Sequence, residues 1–165
     1  RPLSRGLGDV YKRQGKDKVA IIVEALTDNK NRTASKLRTI FQKNGGNLGT
    51  QGSAAHNFKQ IGVIRIDINE IKDDKIFELA IDAGADECFS FENFHEIHCG
   101  FEDIYSIKKK IESHVENFIS TDIEWIPLNK VYSEGENKEY IKKLIELLDD
   151  DDDVQRVYSN FGEEN

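Results

Sequence analysis

KVAIIVEALTDNKNRTASKLRTIFQKNGG, residues 18–46, lays out a strand, a helix start, a helix and a helix stop in succession. Residues 18–26 are short, rich in β-branched side chains and closed by a polar cluster, which predicts a buried strand. That cluster, Thr27-Asp28-Asn29, supplies N-cap side chains for a helix from about Asn31 to Asn44. Ala34, Leu37 and Phe41, with Ile40 beside them, form its apolar stripe. Asn44-Gly45-Gly46 then predicts a left-handed C-cap.

Downstream, residues 53–58 and 61–67 predict a hairpin. A helix is expected near 73–83, with Asp73 as cap and Ile76, Phe77 and Ala80 inward, then a second hairpin, 86–91 with 94–99. The next helix, about 102–116, should bury Ile104, Ile107, Ile111 and Val115, and a strand at 118–125 should stop at Pro127. The order from 61 to 125 is β-α-β-β-α-β, a ferredoxin-like unit. After it come a helix with a Ser133/Glu136 capping box, striped by Tyr140, Ile141, Leu144, Ile145 and Leu148, and a strand at 154–158. That pair has no partner strand nearby, so it should complete the sheet opened by residues 18–26. The expected class is α/β (α+β): a discontinuous outer α/β domain, 15–60 with 128–165, carrying an inserted ferredoxin-like domain, 61–127.

Residues 1–14, RPLSRGLGDVYKRQ, show no helical or strand period and no apolar centre of a signal peptide. They are expected to be a foreign, disordered leader without contacts to the body. A chain of 165 residues that opens with Arg1 and has no Met is expected to be a fragment or a processed protein. No apolar run approaches a membrane span, and two Cys suit a reducing cytoplasm.

The net charge of −8 and pI near 5.1 conceal an asymmetry. Residues 28–65 carry Lys30, Arg32, Lys36, Arg38, Lys43, Lys59 and Arg65 against Asp28 alone. Arg32, Lys36 and Lys43 fall within about 40° of one helix face. Such a stripe is either a solvated surface or a phosphate-tracking one. It adjoins the acid-free NGGNLGTQGS loop, where Gly amides approach phosphate closely and Asn side chains reach sugars or bases. The candidate nucleic-acid contacts are therefore Lys30, Asn31, Arg32, Lys36, Lys43, Gly45, Gly46 and Asn47. The loop matches no nucleotide-hydrolysing motif. His95-Glu96-Ile97-His98-Cys99 lacks metal-site spacing on a strand, and Cys88 and Cys99 read as buried or half-buried thiols on paired strands. No metal, cofactor or catalytic series is expected. Asp149–Asp153 reads as a solvated turn.

LTDNKNRTASKLRTIFQKNGGNLGTQGSAAHNF, GVI at 62–64 and DVQRVYSN near the end resemble the YebC/PmpR family, which includes the mitochondrial translational activator of cytochrome c oxidase subunit I. The resemblance runs from about Lys18 to Phe161 and implies the same outer domain with a ferredoxin-like insertion. The family's opening helical domain, with its GHSKW- and HRK-like basic stretch, is absent, and its glycine-rich lead-in is reduced to Gly15-Lys16-Asp17-Lys18. The resemblance implies a non-enzymatic, DNA-binding transcriptional regulator. The alternatives are a ribosome-associated translational activator that binds RNA, and a protein-docking adaptor fragment.

Overall fold

The computed structural model describes the backbone of residues 3–11, 18–49 and 54–162, and the side chains of 19–49 and 54–162. It divides into Arg1–Lys59 with Ile126–Asn165, and Gln60–Trp125. The first unit opens with β1 (Leu3–Tyr11), antiparallel to β2 (Lys18–Leu26) over its whole length, Leu3 opposite Leu26 and Tyr11 opposite Lys18. In α1 (Lys30–Lys43), the Asn29 side chain accepts a 3.0 Å hydrogen bond from the Arg32 N–H, the expected N-cap. Gly45, at φ +80°, turns the chain out of the helix in the left-handed region. β3 (Gly46–Gly49) then runs antiparallel to β1.

The expectation that residues 1–14 lack strand structure and contacts is therefore corrected. Leu3–Tyr11 lies between β2 and β3 in the sheet. The physical reason is that a central strand must satisfy N–H and C=O groups along both edges. A backbone ladder fills an edge whatever the side-chain period of the segment that supplies it.

The second unit follows as β4 (Phe58–Asp67), α2 (Asp73–Ala83), β5 (Glu87–Ser90), β6 (Phe94–Gly100), α3 (Ile104–Ile111) and β7 (Phe118–Pro127). The sheet order β5-β6-β4-β7 is that of the ferredoxin-like unit expected from sequence. Ile64, Ile66, Ile97 and Cys99 pack with Ile76 and Ala80 of α2 and Ile104, Ile107 and Ile111 of α3. Gly62 faces this layer so closely that a Cβ would stand 2.8 Å from Cys99 Sγ and 3.0 Å from Ile104 Cβ.

Several details differ from expectation. The hairpin of 53–58 with 61–67 does not form: Ala55–Asn57 is a 3-10 turn closed by Asn57 N–H on the Ala54 carbonyl, and β4 is one continuous strand (residue 53 lies outside the described residues). Phe77 is 53% exposed, because the buried arc of this short helix is filled by Ile76, Ala80 and Ala83. Lys72 holds the α2 cap position, with Asp73 inside the first turn, and β7 continues through Pro127.

The chain returns to the first unit as β8 (Val131–Tyr132), α4 (Gly135–Asp149), β9 (Val154–Ser159) and β10 (Phe161–Gly162). β9 pairs antiparallel with β2, Ile21 opposite Ser159 and Val23 opposite Val157. The strand order is β3-β1-β2-β9, so the far end of the chain does complete the opening sheet. α1 and α4 share its core: Val19, Ile21 and Val23 meet Leu37, Phe41, Ile141, Leu144 and Leu148. The buried Asn160 carboxamide oxygen accepts from the Ala20 N–H at 2.9 Å. The Ser133 capping box is corrected. Glu134 occupies the cap, and Ser133 Oγ is buried without a hydrogen-bond partner among the described residues. Tyr140 lies on the exposed edge of the α4 stripe.

Candidate nucleic-acid interface

α1 turns Thr33, Leu37 and Phe41 into the core and leaves Lys30, Asn31, Arg32, Lys36 and Lys43 exposed. The helix has no carboxylate in its first turn and carries Lys43 in its last. Exposed Gly45 and buried Gly46 lead into β3, where Asn47 is exposed and pairs across the ladder with Asp9. The structure thus places the eight sequence-derived residues on one helix, the turn that leaves it and the start of β3. Residues 50–53 of the glycine-rich loop lie outside the described residues.

The acidic run is not simply a solvated turn. Asp153 Oδ2 accepts from Thr33 Oγ1 at 2.9 Å and from Lys36 Nζ at 3.1 Å, and lies 3.8 Å from Arg32 Nη2. Asp151 Oδ1 lies 3.0 Å from Lys36 Nζ, and Asp28 Oδ1 lies 3.3 Å from Arg32 Nη2. The Asp153 carbonyl accepts from the Leu26 N–H at 2.9 Å, which ties this turn to the end of β2. Asp151 and Asp153 hydrogen-bond the Lys36 ammonium and raise its pKa. The Lys36 and Thr33 bonds in turn lower that of Asp153. Lys30, Arg38 and Lys43 form no ion pair with another described residue. Sequence reasoning missed Asp151 and Asp153 as parts of this surface, and buried Thr33 as a donor that holds Asp153 there. The available signal was electrostatic: carboxylates at a helix C-terminus oppose its dipole and call for a cation.

The second unit carries a different constellation. Arg65 donates to Glu96 at 2.8 Å and to both oxygens of Glu124, at 2.6 and 3.2 Å. Glu96 Oε2 lies 2.8 Å from His98 Nε2, and the His98 ring meets Phe89 edge-on at 5.2 Å. Phe89, Phe91 and Phe94 continue the series at 6.2 and 5.1 Å between centroids. His95 points to the opposite, buried face, where Nε2 donates to the Ile71 carbonyl at 2.7 Å and Nδ1 meets Ser90 Oγ at 2.7 Å. Its ring is a core hydrogen-bonding group. Cys88 and Cys99 do sit on the paired strands β5 and β6, and burial pushes both thiols up to about 11. Among the described residues no helix is long and apolar enough to cross a membrane.

The model of the TACO1/YebC second and third domain matches residues 9–161. A probable transcriptional regulatory protein of Pelagibacter ubique is 60% identical over 155 residues, covering 94% of this chain and 64% of the relative. The crystal structure of a conserved hypothetical protein from Aquifex aeolicus superimposes with a TM-score of 0.79 at 33% identity, covering 97% of this chain and 65% of that one. The chain therefore spans about two thirds of the length of either protein. On the family match, the identity and the shared fold, the chain belongs to the TACO1/YebC family.

Proposed function

We propose that this chain is a non-enzymatic, nucleic-acid-binding regulator of gene expression, with its phosphate contacts on α1 and the Gly45–Asn47 segment that follows it. The observation that carries this reading is charge segregation. From Asn29 to Ile66 there is no Asp or Glu, in a chain that holds 31 of them. Lys30 and Lys43 of that stretch are exposed and form no ion pair with another described residue, and Arg32 and Lys36 join by exchanging carboxylate for phosphate. Asn31 and Asn47 reach sugars or bases, and the exposed Gly45 backbone permits close approach of the phosphate chain, with buried Gly46 anchoring that turn to β3. The Pelagibacter relative's name supports the regulatory role, and two unpaired thiols suit the cytoplasm.

The stripe presents Lys and Arg rather than a set of base-reading side chains, so affinity should exceed sequence selectivity. Fluorescence anisotropy with a 20-base-pair DNA duplex and a structured RNA hairpin tests this. Lys30→Glu with Lys43→Glu should weaken binding at least about tenfold and reduce the salt slope by about 2, one for each phosphate no longer neutralised. Preference for the hairpin assigns the protein to translation, and preference for the duplex to transcription. An unchanged affinity in the double variant overturns the proposed surface.

A further inference from the structure

We propose that the helix-free face of the ferredoxin-like unit docks an arginine-rich polypeptide segment, through Phe89 and Phe91 and the carboxylates around them. α2 and α3 both pack on the face that holds Ile64, Ile97 and Cys99. Side chains alternate across a strand, so Arg65, Phe89, Glu96 and His98 stand on the other face. There Phe89 and Phe91 are 38% and 49% exposed, within one contiguous aromatic cluster. Half-exposed, clustered Phe rings are the kind of apolar surface that marks an interaction site.

Charge selects the partner. Residues 60–125 contain sixteen Asp and Glu against six Lys and Arg, a net −10. Glu87, 4.0 Å from His98 Nδ1, and Glu92, next to Phe91 in the chain, are exposed, and the Arg65 guanidinium is already held by Glu96 and Glu124. Rings alone would suit stacked bases, but these carboxylates repel a phosphate backbone. A guanidinium satisfies both features: it stacks on a ring face and pairs in the plane with a carboxylate, and it sheds water more readily than an ammonium. The ligand class is therefore a basic polypeptide in which Arg outweighs Lys, in contrast to the nucleic acid proposed for α1.

The test uses the full chain, with fluorescein-labelled nona-arginine, nona-lysine and dodeca-uridylate as probes read by anisotropy. Nona-arginine should bind at least about threefold more tightly than nona-lysine, and Phe89→Ala with Phe91→Ala should weaken it about tenfold. Glu87→Gln with Glu92→Gln, at exposed positions that leave the core untouched, should weaken both peptides. Phe77→Ala, an exposed ring on α2, should change neither. Equal binding of the two peptides, an unchanged affinity in the double Phe variant, or preferential binding of dodeca-uridylate that the same variant abolishes would overturn the proposal.

Discussion

The two four-stranded sheets are assembled in opposite ways. In Gln60–Trp125 every strand finds its partners within one continuous stretch, and the helices that cover the sheet are its own connections. In the other unit β2 takes one ladder from β1, which directly precedes it, and the other from β9, some 130 residues on. The local sheet depends on side-chain pattern, because its strands must turn Ile64, Ile66, Ile97 and Cys99 to one face. The discontinuous sheet depends on closure: until β9 arrives, β2 has an unfilled edge and α4 has no core. Non-local pairing of this kind carries a larger loop-closure cost.

The strongest way to break this comparison is to damage each core separately. Phe41 is fully buried in the discontinuous unit, and Ile97 is fully buried in the local one. Phe41→Ala should cost about 3–5 kcal/mol and Ile97→Ala about 2–5 kcal/mol. Calorimetry should show two transitions, with each variant lowering only its own. A single transition shifted equally by both would show that the units do not differ in how they hold together.

A smaller pair of changes compares one glycine from each unit, because Gly62 and Gly45 are required for different reasons. Gly62→Ala pushes a Cβ against Cys99 Sγ and Ile104 Cβ, and should destabilise the local unit by about 1–3 kcal/mol through overpacking. At Gly45 a Cβ meets nothing within 4 Å, but φ is +80°. Gly45→Ala should therefore cost about 1–2 kcal/mol, and Gly45→Asn less, because Asn tolerates the left-handed region. Denaturant midpoints measure both. Equal losses for Ala and Asn at position 45 would overturn the conformational account.

These differences explain what was legible in the sequence. The ferredoxin-like order could be read because its strands and helices announce themselves by period, from Ile64 and Ile66 to Ile104, Ile107 and Ile111. The α1 cap and stop were equally local, set by Asn29 and Gly45. The pairing of β9 with β2 followed by elimination, since neither had another partner. β1 and β3 were not legible: GNLG carries no alternating pattern, and RPLSRGLGDVYKRQ has no period to read. Both are in the sheet because backbone groups at an edge need ladder partners. Phe77 was misread because an apolar residue next to Ile76 looks inward until the width of the buried arc is known. The candidate contacts on α1 were legible as a charge pattern. Their partners Asp151 and Asp153 were not, because a run of acids does not say which cation lies across the fold.

The smallest expected effect concerns that last pairing, and it connects the closure of the discontinuous sheet with the proposed binding surface. The Lys36 and Thr33 hydrogen bonds hold the Asp153 carboxyl below the usual carboxylate range. Such a group contributes stability that is fully present above its unfolded value, about 3.9, and lost as pH falls through the lower folded value. Lys36 mirrors it: its contribution is present below 10.5 and lost as pH rises through its raised folded value. Lys36 is 41% exposed along its side chain, so solvent screens the pair and the change in melting temperature should be small. Asp153→Asn should flatten the acid limb of the melting curve below about pH 4 and lower neutral-pH stability by the same small amount. The same substitution releases part of the positive charge of Lys36 and Arg32, so affinity for duplex or hairpin should rise, most at low salt. Lys36→Gln should flatten the same acid limb while lowering affinity. If both variants lose affinity together, Asp153 positions α1 for binding rather than competing with phosphate for its cations.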